Sequence, residues 1–403
     1  MGPVAFAIWA LLLLSPPPTE GALQLQRAID RVVARNPPVT VNDEARRLER
    51  LAAQIGIDLA PPLPDRPHPL LGERDLVEGL HFGAYLSDEV EAPDDRLAPP
   101  SAAITSFLAE RAEPIDEIRA VLLSERAPRW AMDLAKGKSG EPDPNSSGPL
   151  VLQRILLTKA LVEARAGRAS EADLWLRASW RLNESTAARP TMVWQLIAIA
   201  VSRWEAGVLR KVPSADSAWI ERMQFASQRQ RAFAAMSDDL VIGFIDPPAP
   251  EEFDKWSPGE LLAGISKSVE SLQRQDPCAF PRAEADRYWK SFFPGPIEKT
   301  LAGIAMPSLG DAAHRLYRLQ IEGELTDRVL QARLAAGGAE PPQPGTSSDV
   351  DSSVCPGARW SSLVLPGGGT HVTFAGRFAD WPNESGIRPP LEYTIRSDAP
   401  PRP

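Results

Sequence analysis

The stretch that decides the fold class is LVLQRILLTKALVEARAGRASEADLWLRASWRLNESTAARP, which spans residues 150–190. In its first half, Leu152, Ile155 and Leu156 recur at the three-and-four spacing that places side chains on one face of a helix. Gly167 follows where a helix needs a left-handed closing residue, a conformation that glycine adopts at the least steric cost. The pattern predicts a helix that ends at Gly167.

A second helix is predicted directly after this glycine. Ser170 offers a side-chain oxygen to the free N–H groups of a first turn, and Asp173 lies three residues further, as in a variant of the capping box. Leu176 and Leu182 then fall roughly along one face, with small residues nearby that allow a partner helix to approach. We therefore expect an antiparallel helical hairpin whose second helix is capped by Ser170.

The hairpin resembles a tetratricopeptide-type repeat in the order of its small and large residues. Such repeats place a small residue late in the first helix, a glycine at the turn, and an alanine followed by a large apolar residue in the second helix. The matching positions are Ala160, Gly167, Ala172 and Leu176. Glu163 stands where an aromatic residue is usual, and the resemblance covers only residues 150–190. It implies a protein-binding scaffold; an ordinary hairpin in a globular bundle is the alternative.

Further helix patterns surround this hairpin. Helices are predicted over Leu23–Val33, from Ser214 to about Met236, from Ser257 to about Gln275 and, as a long helix, over Ser308–Ala336. Another helix is predicted to be capped by Asn42, and two more are predicted to start at Ser101 and Pro114. Start signals include side-chain caps and first-turn prolines. The chain is therefore predicted to be mainly α, with stacked antiparallel helical hairpins forming a bundle or a short α-solenoid.

Prolines and a change of hydrophobic period mark the other segments. The helical domain is predicted over 22–336, with an irregular proline-rich segment at 57–100, and a glycine- and proline-rich linker at 337–358. Beyond it, 359–397 alternates apolar and polar residues, which predicts about three short strands. So few strands are marginally stable alone, and we expect this β tail to pack on the helices.

The start of the chain has the character of a targeting segment. Val4–Leu14 is an apolar run of about the length of a signal-peptide core, followed by three consecutive prolines after Ser15. Residues 1–21 are predicted to be either a cleaved signal peptide or a membrane anchor. The expected location is periplasmic, extracellular or anchored in the cell envelope, with no other membrane contact.

The chain has two cysteines, Cys278 and Cys355. In an exported protein an even cysteine count indicates a disulfide bond, which would tie the tail to the helical body. Two reduced, buried thiols are the alternative.

Charge and motifs restrict the chemistry. A net charge of −9 argues against nucleic-acid binding, which needs a basic surface. No phosphate-binding loop, dinucleotide fingerprint, metalloprotease motif or serine elbow is present, so no cofactor is expected. His81 with Asp88 and Glu89 is the one local set that could begin a metal site, but a second spaced nitrogen or sulfur ligand is missing. We therefore expect no metal.

Four of the eleven tryptophans lie in or beside the hairpin: Trp175, Trp180, Trp194 and Trp204. They could line an aromatic groove for a sugar or a peptide, or they could be large core side chains between helices. The core interpretation is favoured.

Three functional hypotheses remain. The first is an exported, non-enzymatic helical scaffold that binds a protein or peptide partner in the cell envelope. The alternative is an exported hydrolase whose site combines carboxylates with His81. A structural envelope component without a ligand is a third interpretation.

Overall fold

The computed structural model describes residues 20–60, 73–139, 145–213, 216–243, 245, 258–274, 276–278, 296–338, 342–376 and 391–396. The predicted signal or anchor segment lies almost wholly outside these residues. Within them, helices pack against one another and carry a small antiparallel sheet at the C-terminal end. The predicted mainly α fold with a small β tail is confirmed.

The helices are α1 Glu20–Arg35, α2 Asp43–Gln54, α3 Glu73–Glu91, α4 Ala102–Glu110, α5 Ala112–Leu122, α6 Ser147–Arg165, α7 Ala169–Ala187, α8 Met192–Lys211, α9 Ala218–Arg222, α10 Ala226–Gly243, α11 Pro258–Arg274 and α12 Pro296–Ala336, with a 3-10 helix at Leu134–Ser139. The strands are β1 Ser347–Asp351, β2 Arg359–Val364, β3 Thr370–Ala375 and β4 Glu392–Ile395. Asn42 and Ser101 cap α2 and α4 through their side-chain oxygens, as expected.

The predicted hairpin is formed by α6 and α7. Gly167 has a φ of 74°, its N–H donates to the Ala164 carbonyl at 3.0 Å, and the Arg168 N–H donates to the Glu163 carbonyl at 2.9 Å. This pair of bonds is the Schellman arrangement, which satisfies the last carbonyls of α6. The left-handed closing glycine is confirmed.

The predicted cap at Ser170 is wrong. The turn is so tight that α7 already begins at Ala169, and the residue before it, Arg168, makes no capping side-chain bond. Asp173 is used elsewhere, since its Oδ1 accepts a hydrogen bond from Trp219 Nε1 at 2.7 Å. The Asp173 carboxylate, which the local sequence predicted to belong to the cap, therefore binds α9 instead.

The centre of the body is α8, which packs against α3, α6, α7, α10 and α12. Among the described residues, it is the one helix long and apolar enough for a membrane span by length and composition, and two thirds of that window is buried inside the body. An apolar helix surrounded by other helices is typical of a core element.

The irregular segment predicted at 57–100 is wrong in part, because α3 lies within it. Phe82, Leu86 and Val90 are buried at four-residue spacing on one helix face. The high proline content on both sides hid this pattern, although no proline occurs between Pro69 and Pro93.

Two helix boundaries also differ from the prediction. The helix expected from Ser214 to Met236 is broken into α9 and α10, because Phe225 adopts a φ of 49°. Gly323 of α12 packs directly against this break, since a Cβ on Gly323 would lie 2.5 Å from the Met223 carbonyl oxygen. The break is therefore fixed by a contact distant in sequence. In addition, α12 begins at Pro296 rather than Ser308.

The sheet is a four-stranded antiparallel meander in the order β1-β2-β3-β4. Four strands replace the three predicted, because β1 lies inside the stretch that was expected to be a linker. Trp360, Val372 and Tyr393 lie on one face of the sheet and form a common core with apolar residues of α12, namely Ile321, Leu325 and Val329. The tail therefore packs on the helices.

Candidate functional site

A groove of about 840 Å³ lies between α10, α12, the end of α11 and the chain around 353–354. We call it the interhelical groove. Its lining includes apolar, amide and charged side chains: Met223, Gln224, Arg229, Gln230, Phe233, Gln273, Pro277, Gln320, Glu324, Asp327, Arg328, Ser353 and Val354. This mixture suits a ligand with both polar and apolar parts.

A disulfide bond lies at the rim of the interhelical groove. It joins Cys278 to Cys355, whose Cα atoms are 5.5 Å apart, and both cysteines are buried. Their chain neighbours Pro277 and Val354 line the groove. The bond therefore holds two walls of the groove together, although they are 77 residues apart in sequence.

Glu324 anchors the loop on the same side of the groove. Its Oε1 accepts hydrogen bonds from the Ser353 N–H at 2.6 Å and the Val354 N–H at 3.1 Å. Its Oε2 accepts from Ser352 Oγ at 2.6 Å and from Trp360 Nε1 at 2.8 Å. Both oxygens are thus engaged, and this carboxylate positions the loop instead of standing ready as a general base.

Within the part of the chain that the structure describes, three buried atoms of the groove's α12 wall have no hydrogen-bond partner. They are Gln320 Oε1, Asp327 Oδ1 and Arg328 Nε. Gln320 is only 9% exposed, and the Arg328 Nη2 pairs with Asp327 Oδ2 at 3.3 Å. Burial raises the pKa of Asp327, against the attraction of Arg328. Buried polar atoms are rarely left unpaired, so this wall is an exception among the described residues.

Arg229 faces the groove from α10 and is not paired with a carboxylate of the described residues. Its guanidinium lies 5.8 Å from the Phe233 ring centroid, within the range of a cation–π contact. The groove therefore contains one arginine without an anionic partner and a second, Arg328, that shares its neighbour's carboxylate.

A larger cavity of about 1280 Å³ lies between α1, α10 and α11. Its buried carboxylate is already paired, since Arg35 Nη2 lies 2.7 Å from Asp238 Oδ1. Burial raises the pKa of Asp238, although the hydrogen bond from Arg35 opposes this. We regard the smaller groove as the better candidate.

Two buried carboxylates lie away from both cavities. Glu205 accepts from Ser179 Oγ at 2.7 Å and from Asn183 Nδ2 at 3.1 Å, and burial raises its pKa to about 8. Ser179 Oγ also lies 2.6 Å from Gln153 Oε1, and one hydroxyl proton cannot serve two acceptors. A proton on Glu205, donated to Ser179, resolves the conflict and agrees with the raised pKa.

Glu322 is buried among cations instead. Its Oε1 accepts from Arg318 Nε at 2.7 Å and from Arg203 Nε at 3.0 Å. The neighbouring Arg210 is fully buried and donates to Thr326 Oγ1 at 2.9 Å. Burial by itself would raise the pKa of Glu322, but the three arginines outweigh it and the pKa is lowered. Both glutamates are structural groups inside the helical body.

The predicted groove tryptophans lie outside the two cavities described above. Trp175 and Trp194 are buried, Trp180 packs edge-to-face on Trp219 at 5.7 Å, and Trp204 lies beneath Arg154. None of the four lines either cavity. These contacts agree with the core interpretation, because Trp175 and Trp194 are buried and Trp180 and Trp204 pack against the main core.

His81, Asp88 and Glu89 all lie on α3 but do not converge. His81 is exposed, whereas the Glu89 carboxylate accepts the Ala98 N–H at 3.0 Å and lies 3.7 Å from Lys211 Nζ. Across the described parts of the chain, no group of three or more His, Cys, Asp or Glu side chains is placed to hold a metal ion.

Sequence reasoning found the cysteines at the rim but missed the polar wall of the groove. A signal for that wall existed, because Gln320, Glu324, Asp327 and Arg328 follow the three-and-four spacing of one helix face. What the spacing could not show is that α10 lies opposite and leaves a space.

No protein-family model matches the chain, and no curated protein or solved structure shows significant similarity to it.

Proposed function

We propose that the protein is an exported helical binding protein of the cell envelope, which holds a segment of a partner protein in the interhelical groove. The observation that carries the proposal is the groove itself, with buried, unpartnered polar atoms on one wall and a disulfide bond at its rim. Such a site is preorganised, which reduces the entropic cost of binding.

The disulfide supports export. Structural disulfides form and persist in oxidising compartments and are rare in the reducing cytosol. Cys278 and Cys355 are both buried, so the bond is a structural tie between elements and not an exposed redox pair. The apolar run Val4–Leu14 at the start of the chain is a second argument for an export signal.

Binding explains the groove better than hydrolysis does. Its two carboxylates are Glu324, which is engaged by the loop, and Asp327, which pairs with Arg328. His81, the histidine of the alternative hypothesis, lies on α3, whereas the groove is formed by α10, the end of α11, α12 and the chain around 353–354. No specific observation favours the hydrolase.

Export is tested by producing the full chain with a C-terminal tag, fractionating the cells and labelling free thiols without reduction. We expect the tagged protein in the envelope or the medium, beginning near residue 22 or retained in the membrane, with neither cysteine labelled. A soluble cytosolic protein with an intact Met1 and two reactive thiols would refute export.

Binding is tested by site-specific photo-crosslinking in the same cells. A benzophenone amino acid replaces Gln273, an exposed residue of the groove rim, or Gln54, an exposed glutamine on α2 that serves as the matched control. We expect a discrete adduct with an envelope protein from position 273 and none from position 54. No adduct, or the same adduct at both positions, contradicts the proposal.

A further inference from the structure

We infer that β1 is a second interaction surface, where an extended, basic segment of another protein joins the sheet as an additional antiparallel strand. The inference goes beyond the proposed function, because no residue of Ser347–Asp351 lines the interhelical groove. Three features of β1 carry it: an open hydrogen-bonding edge, a fixed position, and two carboxylates on one face.

The two edges of the sheet differ in whether other parts of the chain cover them. The edge formed by β4 is covered, since the Thr394 N–H donates to the Pro93 carbonyl at 2.8 Å and Asp94 forms a bridge with Thr394. Within the described residues, β1 pairs with β2 alone, and all five residues of β1 are exposed. An uncovered edge strand presents unpaired backbone groups that a further strand can bind.

The hydrogen bonds between β1 and β2 identify the free backbone groups. The Val364 N–H donates to the Thr346 carbonyl at 3.0 Å, and the Ser352 N–H donates to the Ala358 carbonyl at 2.9 Å. In an antiparallel ladder every second residue bonds the partner strand, so the even-numbered residues of β1 direct their backbone groups to β2. The backbone groups of the odd-numbered residues therefore point away from the sheet: Ser347, Asp349 and Asp351.

Both ends of β1 are held in place. Before the strand, the Gly345 N–H donates to the Val364 carbonyl at 2.9 Å. After the strand, Ser352 Oγ and the Ser353 N–H each donate to the Glu324 carboxylate of α12 at 2.6 Å. A strand that is already fixed in an extended conformation reduces the entropic cost of adding a partner.

The charge of β1 selects the partner. Asp349 and Asp351 project from the same face of the sheet, because side chains alternate along a strand. Asp349 forms no ion pair with the described residues, and Asp351 has an exposed pair with Arg359 at 2.9 Å, which contributes little. Opposite charges in cross-strand pairs stabilise a sheet, so a strand with Lys or Arg at alternate positions is complementary to β1.

The same carboxylates disfavour a second copy of the chain as the partner. If two β1 edges paired antiparallel around Asp349, this residue would lie opposite its own counterpart, and like charges at that distance destabilise a sheet. A shift of two residues in one direction would place Asp349 opposite Asp351. A shift in the other direction would pair only Ser347–Asp349 of each copy. A separate basic segment avoids these arrangements.

Val350 offers apolar contact beside the open edge. Its side chain is 38% exposed and lies opposite Trp360 in the ladder, on the sheet face that packs on α12. An added strand with valine between its basic residues would place that valine next to Val350, since the two kinds of side chain then lie on opposite faces.

The experiment measures fluorescence anisotropy of the labelled peptide Lys-Val-Lys-Val-Lys mixed with the purified, oxidised protein. Because the chain carries −9, any basic peptide is attracted, and a control must keep the charge. In the inferred register the N–H groups of the lysines face β1, whereas those of the valines face away. N-methylation of the lysine N–H groups should weaken binding at least about tenfold, whereas N-methylation of the valines should preserve it. Equal affinity of the two methylated peptides would overturn the inference.

Variants locate the binding. Ser347→Pro removes an outward N–H without a change of charge and should weaken binding about tenfold. Asp349→Asn should weaken it about threefold. Glu392→Gln makes the same charge change on an exposed residue of β4 and should leave it unchanged. Equal effects of Asp349→Asn and Glu392→Gln would refute the site, and the methylated peptides keep the test valid if Ser347→Pro does not fold.

Sedimentation of the protein without peptide tests the other occupant. We expect the same sedimentation coefficient for the wild type and Ser347→Pro. A dimer that Ser347→Pro dissociates would show that a second copy occupies β1, and the basic partner would be wrong. The crosslink from position 273 should persist in Ser347→Pro, so the groove and the β1 edge are tested independently.

Discussion

Glu205 and Glu322 are both completely enclosed by protein, yet their pKa values shift in opposite directions. Burial is the largest influence on each, and it favours the neutral acid. Around Glu205 the partners are neutral hydroxyl and amide groups, so burial prevails and the pKa rises to about 8. Around Glu322 three arginines reverse the result, and its pKa falls below the ordinary value of 4.5.

The difference teaches how two parts of the molecule are held together. Glu205 joins α8 to its sequence neighbour α7, through Ser179 and Asn183, which lie 26 and 22 residues away. Glu322 joins α12 to α8 through Arg203, which lies 119 residues away. The contact of α7 with α8 at Glu205 therefore uses neutral bonds between sequence neighbours, whereas the contact of α12 with α8 at Glu322 uses charges between distant segments.

The largest effect is expected for Glu322→Gln. Removal of the buried negative charge leaves Glu91, 3.7 Å from Arg318, to compensate the cluster of Arg203, Arg318 and Arg210. We expect a loss of about 3–5 kcal/mol in the free energy of unfolding at neutral pH. Because the folded pKa of Glu322 is lowered, its contribution is present above about pH 4.5 and disappears as the pH falls through the folded pKa. Urea unfolding at several pH values measures this; an unchanged midpoint at neutral pH would contradict the charge cluster.

The second effect concerns the disulfide. Replacing Cys278 and Cys355 by alanine frees a loop with a sequence separation of 77, and the entropic model gives a loss of about 4 kcal/mol. We expect residues near the sheet to gain amide hydrogen exchange first, while the α6–α7 hairpin keeps its protection. Uniform loss of protection would show that the two regions unfold as one unit.

The third prediction is that replacing Glu205 stabilises the folded protein at neutral pH. Because the folded pKa of Glu205 is about 8, the folded state holds a proton that the unfolded state releases above about pH 4.5. This group therefore lowers stability as the pH rises, by at most about 1.4 kcal/mol per unit up to about pH 8. Glu205→Gln should remove that slope and be about as stable as the wild type near pH 4.5, but more stable at neutral pH. Parallel pH profiles for the two proteins would refute a protonated Glu205.

The smallest effect concerns the turn of the hairpin. Gly167→Val forces a β-branched residue into a φ of 74°, although a Cβ there meets no atom within 4 Å. Strain alone should therefore cost about 1 kcal/mol or more in a thermal melt. Ala166→Val places the same side chain at an exposed neighbour with a φ of −79° and should change little. Equal melting temperatures for both variants would place the strain elsewhere.

A structural feature could be predicted from sequence where its interacting residues lie close together along the chain. The hairpin could be predicted because its signals, from Leu152 to Gly167, lie within a few turns of one another. The predictions that failed at Ser170 and at Phe225 did so because of contacts between residues distant in sequence. Asp173 accepts a hydrogen bond from Trp219, and Gly323 packs closely against the Met223 carbonyl. For the candidate site, Cys278 and Cys355 could be named from sequence, but it could not show that Gln320 Oε1 and the Arg229 guanidinium lack a polar partner among the described residues.

The sequence by itself determined the helical class, the left-handed closure at Gly167 and the alternating residues of the tail, because each depends on backbone preferences and local spacing. Only the tertiary structure decided which polar groups are satisfied. Glu205 and Glu322 are the same residue type in helices of the same body, and their charge states differ because of neighbours brought together by folding. The groove arises in the same way, since Arg229 and Arg328 acquire a common surface only when α10 and α12 pack.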